Sequence, residues 1–181
     1  MNSSKVYPFE EDSRLLLEAA IAEWRADDRV LEIGCGSGRI SATLPYQDSV
    51  LATDISPPAV RAARALGLEV VRTDLFRGIC GRFDLVLFNP PYLPTVPEER
   101  CDDWLEYALD GGPDGRSVIT RFVEGVDSVL ASGGRFLLLL SSLTGIREVR
   151  EMMAKAGFQS EIVAKTRVEG EDLVVLRGMR E

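Results

Sequence analysis

The chain has 181 residues, 45% of them hydrophobic and 28% charged, with a formal net charge of −8, which bounds it to one domain with a sizeable apolar core. That acidic balance opposes unaided binding to nucleic acid, because phosphate affinity rests on clustered Lys and Arg. The absence of histidine excludes a Ser-His-Asp triad, a Cys-His pair and a histidine-ligated metal.

Cys35, Cys80 and Cys101 are widely spaced and form no CxxC, so they predict neither a disulfide framework nor a zinc site built by this chain. No N-terminal stretch joins a positive start to an apolar h-region, and no apolar run approaches a membrane span, so the chain reads as cytoplasmic.

In chain order, Asp12 and Ser13 are expected to cap a helix running to about Ala26, with Leu16, Leu17, Ala20, Ile21 and Trp24 on its apolar side. Arg29 to Ile33 is a short strand that ends in Gly34-Cys35-Gly36-Ser37-Gly38, and a helix follows to Leu44. Ser49 to Thr53 is the next strand, and Pro57-Pro58 opens a helix to about Leu66, since proline is tolerated in a first turn. Leu68 to Arg72 and Phe83 to Phe88 are the third and fourth strands, and a helix is expected from Arg116 to Leu130. Ser132-Gly133-Gly134 turns into a strand at Arg135 to Ser141, and a helix from Gly145 ends at a Gly157 cap. Strands at Gln159 to Ala164 and Asp172 to Arg177 close a hairpin across Glu169-Gly170-Glu171. This alternation predicts an α/β fold with a mostly parallel seven-stranded sheet, helices on both faces and a C-terminal antiparallel hairpin.

Two elements carry chemistry. Glycines at 34, 36 and 38 between a strand and a helix let backbone approach a ligand closely. The pattern is E-x-G-x-G-x-G, and Glu32 beside it would repel pyrophosphate but attract an amino or sulfonium group, which disfavours a dinucleotide oxidoreductase. Asp54, at the end of the second strand, suits ribose hydroxyls, and Asp74-Leu75, at the end of the third, suits an adenine edge. Taken singly these aspartates read as caps or turn residues.

The second element is Asn89-Pro90-Pro91-Tyr92, directly after the fourth strand. Proline has no backbone N–H, and each proline drives the residue before it toward extended geometry. Asn89 and Pro90 would then offer acceptors to both hydrogens of a planar NH2 group, with the Tyr92 ring beside it. Amide and exocyclic adenine amine fit that description equally.

Leu31-Glu32-Ile33-Gly34-Cys35-Gly36-Ser37-Gly38, Asp54, Asp74 and Asn89 to Tyr92 resemble the motif set of the Rossmann-like class I S-adenosylmethionine-dependent methyltransferases of the amino-methylating NPPY type. Val6-Tyr7, Glu11-Asp12-Ser13 and Gly111-Gly112-Pro113-Asp114-Gly115-Arg116 narrow the resemblance to the archaeal and eukaryotic branch of the HemK-type protein-(glutamine-N5) methyltransferases. One departure is that Pro8 directly follows Tyr7, with Phe9 where the family has proline. The resemblance implies a single methyltransferase domain over 1–181, with an N-terminal segment and helix over 1–28 and a substrate-side insertion over 93–115.

It also implies S-adenosyl-L-methionine as cofactor, held by Ser13, Glu32, Gly34, Gly36, Gly38, Asp54, Ile55, Asp74, Leu75 and Asn89. Asn89, Pro90 and Tyr92 are the implied catalytic residues, and Pro91 joins them in binding substrate. The implied substrate is the glutamine of the Gly-Gly-Gln motif in a peptide-chain release factor, and the implied partner is a small zinc-ribbon activator subunit. Adenine-N6 methylation of DNA or RNA is the alternative chemistry, and a non-catalytic cofactor-binding subunit the alternative of another class. The insertion is acidic through Glu98, Glu99, Asp102, Asp103 and Glu106, which suits basic polypeptide or a merely solvated loop.

Overall fold

A computed structural model describes residues 6–45, 47–95 and 103–180. Seven strands form one sheet: β1 (Val30–Ile33), β2 (Val50–Asp54), β3 (Glu69–Arg72), β4 (Phe83–Phe88), β5 (Leu130–Ser141), β6 (Phe158–Val168) and β7 (Glu171–Arg180). Their order is β3-β2-β1-β4-β5-β7-β6. The first five strands pair in parallel, and β7 runs antiparallel between β5 and β6. Helices α1 (Glu11–Glu23), α2 (Arg39–Thr43), α3 (Pro57–Ala65), α4 (Trp104–Tyr107), α5 (Ser117–Gly125) and α6 (Ile146–Lys155) complete the fold.

The continuous apolar runs of β4 and β5 are explained by cover on both sides. Val86, Phe88, Phe136 and Leu138 pack in the cluster that includes α5 and α6 residues, whereas Leu85, Leu87, Leu137 and Leu139 pack against Leu15, Leu16, Ala19 and Ala20 of α1. Phe122 of α5 stacks on Phe88 at 4.8 Å between ring centroids and meets Phe136 edge-on at 5.4 Å. Such aromatic pairs add about 0.5–1.5 kcal/mol each beyond the area they bury.

The order reverses between β1 and β4, which leave the sheet side by side: Ile33 is in register with Phe88, and Ile33 with Thr53 on the other flank. Open parallel sheets bind ligands in the crevice outside the strand ends at such a switch point. The register therefore brings Gly34, Asp54 and Asn89 to one edge although they are far apart in sequence.

Four expectations need correction. Helix α1 starts at Glu11 and its N-cap is Glu10, so Asp12 and Ser13 lie inside the first turn, and Ile21 is exposed, not packed. Helix α5 stops at Gly125, well short of Leu130, and continues as a 3₁₀ turn over Val126–Ser128. Phe122, Val123, Val126 and Val129 are all buried, so the apolar spacing persists after the helix has ended. Ser132 to Gly134 do not precede β5 but lie within it, absorbed by a register shift against β4 between Phe83 and Leu85.

The C-terminal hairpin is longer than its apolar centres suggest, because the polar ends of β6 and β7 are held by the ladder from Phe158↔Arg180 to Val168↔Glu171. Within the expected irregular insertion, Trp104–Tyr107 is helical. Glu98, Glu99, Cys101 and Asp102 lie outside the described residues. No helix among the described residues is long and apolar enough to cross a membrane.

Candidate active site

The strand ends open onto a cavity of about 520 Å³, within the range of small-molecule sites. Its wall includes Ser13, Glu32, Gly34, Gly36, Asp54, Ile55, Asp74, Leu75 and all of Asn89 to Tyr92. Gly38 is the expected cofactor contact that the wall does not include. A Cβ there would stand 2.8 Å from Ala63 Cβ and 2.9 Å from Leu68 Cδ1, so Gly38, at φ +77°, lets α2 start tight against α3 and the residue that leads into β3.

The other glycines do shape the cavity. Gly34 takes φ +64°, and a side chain there would meet the Phe88 ring at 3.4 Å. Gly36 takes φ +53° beneath the Tyr7 carbonyl, and its N–H donates to Asp54 Oδ2 at 2.8 Å. Asp54 Oδ1 accepts from the Ser56 N–H at 2.8 Å. Burial pushes the Asp54 carboxyl up against these hydrogen bonds. Each carboxylate oxygen has two acceptor positions, so capacity for a further donor is left.

Glu32 is 2% exposed and accepts from the Ser41 backbone N–H at 3.1 Å and from the Ser41 hydroxyl. Burial pushes its carboxyl up to about 7, the Ser41 hydrogen bonds pull it down, and the Asp54 charge adds to the rise. Asp74 is at the rim, where Arg121 of α5 donates to its Oδ2 at 2.6 Å. Leu75 has φ +48°, the one non-glycine residue in the left-handed region among those described. Strain of this kind concentrates at ligand sites.

Asn89 carries the most telling arrangement. Its Nδ2 donates to Asp12 Oδ2 at 3.0 Å, while its Oδ1 is buried with no hydrogen-bond partner among the described residues. Tyr92 is half-buried, and burial, followed by the charges of Glu171, Asp12 and Glu10, pushes its phenol above its ordinary range. The Tyr92 backbone is braced by the 111–115 turn: a Cβ on Gly111 would stand 2.9 Å from the Tyr92 carbonyl carbon. Leu93 donates to the Leu109 carbonyl at 3.0 Å and accepts from the Gly111 N–H at 2.9 Å. Arg116 pairs with Asp114 at 2.8 Å and donates to the Thr144 carbonyl at 2.7 Å, tying that turn to the 3₁₀ turn Ser142–Thr144 that follows β5.

Sequence reasoning missed Asp12, Arg121, Glu171 and the pair Trp104 and Tyr107 as cavity residues. For Asp12 the signal was present but read as a helix cap. Glu10, Asp12, Glu32, Asp54, Asp74 and Glu171 face Arg39 and Arg121 around the wall, a balance that favours a cationic ligand.

The methyltransferase small domain model matches residues 8–99. A protein named as an N5-glutamine methyltransferase of Methanocaldococcus jannaschii is 39% identical over 97% of this chain and 92% of its own length. The chain belongs to the HemK-type methyltransferases. The human methyltransferase HEMK2 is 36% identical over 96% of this chain and 89% of its own length. A release factor glutamine methyltransferase of Deinococcus radiodurans is 35% identical over 83% of this chain but 59% of its own length. Among solved structures, the E. cuniculi Mtq2–Trm112 complex, described as methylating the translation termination factor eRF1, superposes with a TM-score of 0.81. It is 28% identical, and the match covers 98% of this chain and 99% of that one. In this HemK-type methyltransferase, Glu32 with the glycine loop and the Asn-Pro-Pro-Tyr corner leave adjacent strand ends and line one cavity.

Proposed function

We propose that the chain methylates the side-chain amide nitrogen of the glutamine in the Gly-Gly-Gln motif of a peptide-chain release factor, using S-adenosylmethionine. The observation that carries this reading is Asn89 Oδ1, a buried acceptor without a partner among the described residues, on a residue that lines a cavity rich in carboxylates. An unsatisfied buried acceptor costs about 1–3 kcal/mol, and a substrate N–H offsets that cost. The names of the similar proteins from M. jannaschii and D. radiodurans, both glutamine methyltransferases, favour amide over adenine.

S-adenosylmethionine supplies an electrophilic methyl group on a sulfonium. Glu32 and the Gly34 and Gly36 backbone would hold its amino-acid end, with Ser13 at the same wall; Asp54 and Ile55 would hold the ribose; and Asp74 and Leu75 would hold the adenine. Asn89 Oδ1 and the Pro90 carbonyl accept the two amide hydrogens and turn the nitrogen lone pair toward the methyl, while Pro91 keeps the corner rigid and Tyr92 packs on the glutamine side chain. An amide nitrogen is a poor nucleophile, so positioning has to supply much of the acceleration, up to roughly 7–11 kcal/mol in favourable intramolecular cases. Oriented dipoles stabilise the positive charge that develops on nitrogen as it takes the methyl, and one amide proton then passes to water, which restores a neutral amide.

The Trm112 subunit in the E. cuniculi complex supports a partner subunit for this chain as well, and the partner proposed is a small zinc-ribbon activator. A tracer assay tests the whole reading. Labelled methyl should enter a release factor and fail to enter the same factor with its Gly-Gly-Gln glutamine replaced, and the rate should rise with an activator subunit. Asn89→Ala should abolish transfer and spare cofactor binding. Incorporation into duplex or single-stranded nucleic acid in place of the release factor would overturn the choice of substrate.

A further inference from the structure

An asparagine amide has two faces that differ only in which end donates, and the proposed chemistry works with one of them. Oδ1 must point at the substrate, because Nδ2 would meet the substrate NH2 donor to donor. The neighbour on the other side of the Asn89 side chain is Asp12, 77 positions earlier in the chain and 4% exposed. A carboxylate only accepts hydrogen bonds. With Asp12 Oδ2 at 3.0 Å, the Asn89 amide is compelled to turn Nδ2 toward Asp12, which leaves Oδ1 as the end without a partner among the described residues.

Asp12 is itself held. Its Oδ1 accepts from the Ser13 backbone N–H, and its Oδ2 also accepts from the Tyr7 hydroxyl at 3.1 Å. Tyr7 belongs to the segment that crosses the glycine loop, with its carbonyl 3.9 Å from the place a Gly36 Cβ would occupy. The same segment is fixed against α2 by Arg39 over the Phe9 ring at 5.4 Å. Tyr7, Asp12 and Asn89 therefore form a chain of side chains from the cover of the glycine loop to the acceptor of the clamp. Hydrogen bonds in series polarise one another, so the Asp12 charge drawn to Nδ2 makes Oδ1 a stronger acceptor.

We propose that Asp12 is a positioning residue that sets the orientation of the Asn89 amide, and that Tyr7 locks Asp12 in place. The kinetic part of this inference rests on the role assigned to Asn89 above; the orientation itself does not. Asp12 touches the clamp and acts through it, which separates it from Asn89, the group that meets substrate.

The test exploits composition. Asn2 and Asn89 are the only asparagines and Gln47 and Gln159 the only glutamines, so the chain contributes four side-chain NH2 pairs to a ¹⁵N correlation spectrum. The pair assigned to Asn89 by its loss in Asn89→Ala should be well separated and protected from exchange in the wild-type protein. In Asp12→Asn, which can donate as well as accept, that pair should move and lose its protection. The methyl-transfer kcat, measured at saturating S-adenosylmethionine because Asp12 is one of the wall carboxylates, should fall by about 100-fold, the scale of a misoriented reacting group. Tyr7→Phe should shift the same pair less and lower kcat by about 5-fold, the worth of one hydrogen bond.

Unmoved Asn89 signals in both variants would overturn the proposal, as would a rate that saturating S-adenosylmethionine restores to the wild-type value. Should Asp12→Asn fail to fold, Tyr7→Phe decides by the same two readouts. The spectrum is recorded without acceptor, so a failure to methylate a release factor would leave the orientation result standing and would count against the substrate assignment alone.

Discussion

Gly115 lies directly beneath the Tyr92 carbonyl: a Cβ at that glycine would stand 2.4 Å from the Tyr92 oxygen, and its φ of +71° is one that L side chains avoid. The turn from Gly111 to Gly115 is thus a brace for the Asn-Pro-Pro-Tyr corner, and Gly111 and Gly115 are glycines because backbone packs on backbone there.

Gly115→Ala should push the Tyr92 carbonyl and, through it, the clamp. Expected is a fall in kcat of at least about 10-fold, since an ångström-scale misplacement alone can cost up to about 100-fold, together with a stability loss of roughly 1–3 kcal/mol from the left-handed backbone. Affinity for S-adenosylmethionine, read by calorimetry, should hold because Gly34, Gly36 and Asp54 are untouched. A kcat equal to the wild type in the tracer assay would refute the bracing role.

Gly38→Ala separates packing from binding at the glycine loop. Its Cβ would press on Ala63 and Leu68 while lying outside the cavity wall. The melting temperature should drop, with a stability cost of about 1–3 kcal/mol for overpacking, yet the folded variant should bind S-adenosylmethionine within about 3-fold of wild type, a difference under 1 kcal/mol. A large affinity loss at unchanged melting temperature would put Gly38 back among the cofactor contacts.

Glu32 sets a pH dependence whose sign follows from its raised carboxyl, about 7 against the usual 4.5. The folded chain binds that proton more tightly than the unfolded chain, so this contribution to stability is fully present below pH 4.5 and is lost as pH rises through about 7. At roughly 1.4 kcal/mol per pH unit the loss reaches up to about 3 kcal/mol. Thermal scans across that window should show a decline that Glu32→Gln flattens. A cationic ligand favours the ionised form, so S-adenosylmethionine affinity should rise with pH over the same window; a flat affinity would argue that the sulfonium is not held near Glu32.

At the opposite end of the sheet, Arg135 is 1% exposed and pairs with buried Asp28 at 2.6 Å. Burial pushes the Asp28 carboxyl up, but the Arg135 hydrogen bond, the Arg25 N–H and both arginine charges outweigh it and leave the group below its usual range. Arg135→Ala strands that carboxylate and should cost about 3–5 kcal/mol in urea unfolding. The site lies at the far ends of the strands, so folded Arg135→Ala should keep its affinity for S-adenosylmethionine, and a drop in affinity at full stability would contradict this separation.

Much of this protein was readable from local pattern. The apolar runs at Val30–Ile33 and Phe83–Phe88, the glycines after one and the prolines after the other are governed by backbone sterics and short-range burial, which act over a few residues. The strand alternation and the family motifs followed from the same local information. What tertiary structure alone decided is where one segment meets another. Asp12 reads as a helix cap because capping is local, yet its carboxylate faces Asn89 across 77 positions. Gly38 looks like its neighbours in the loop, and only the approach of Ala63 and Leu68 makes it a packing residue. Ser132 to Gly134 look like a turn, and the partner strand β4 draws them into the sheet. Periodicity reports which face of an element is buried; it holds no record of which atoms lie across the interface, and the candidate site is made of those pairs.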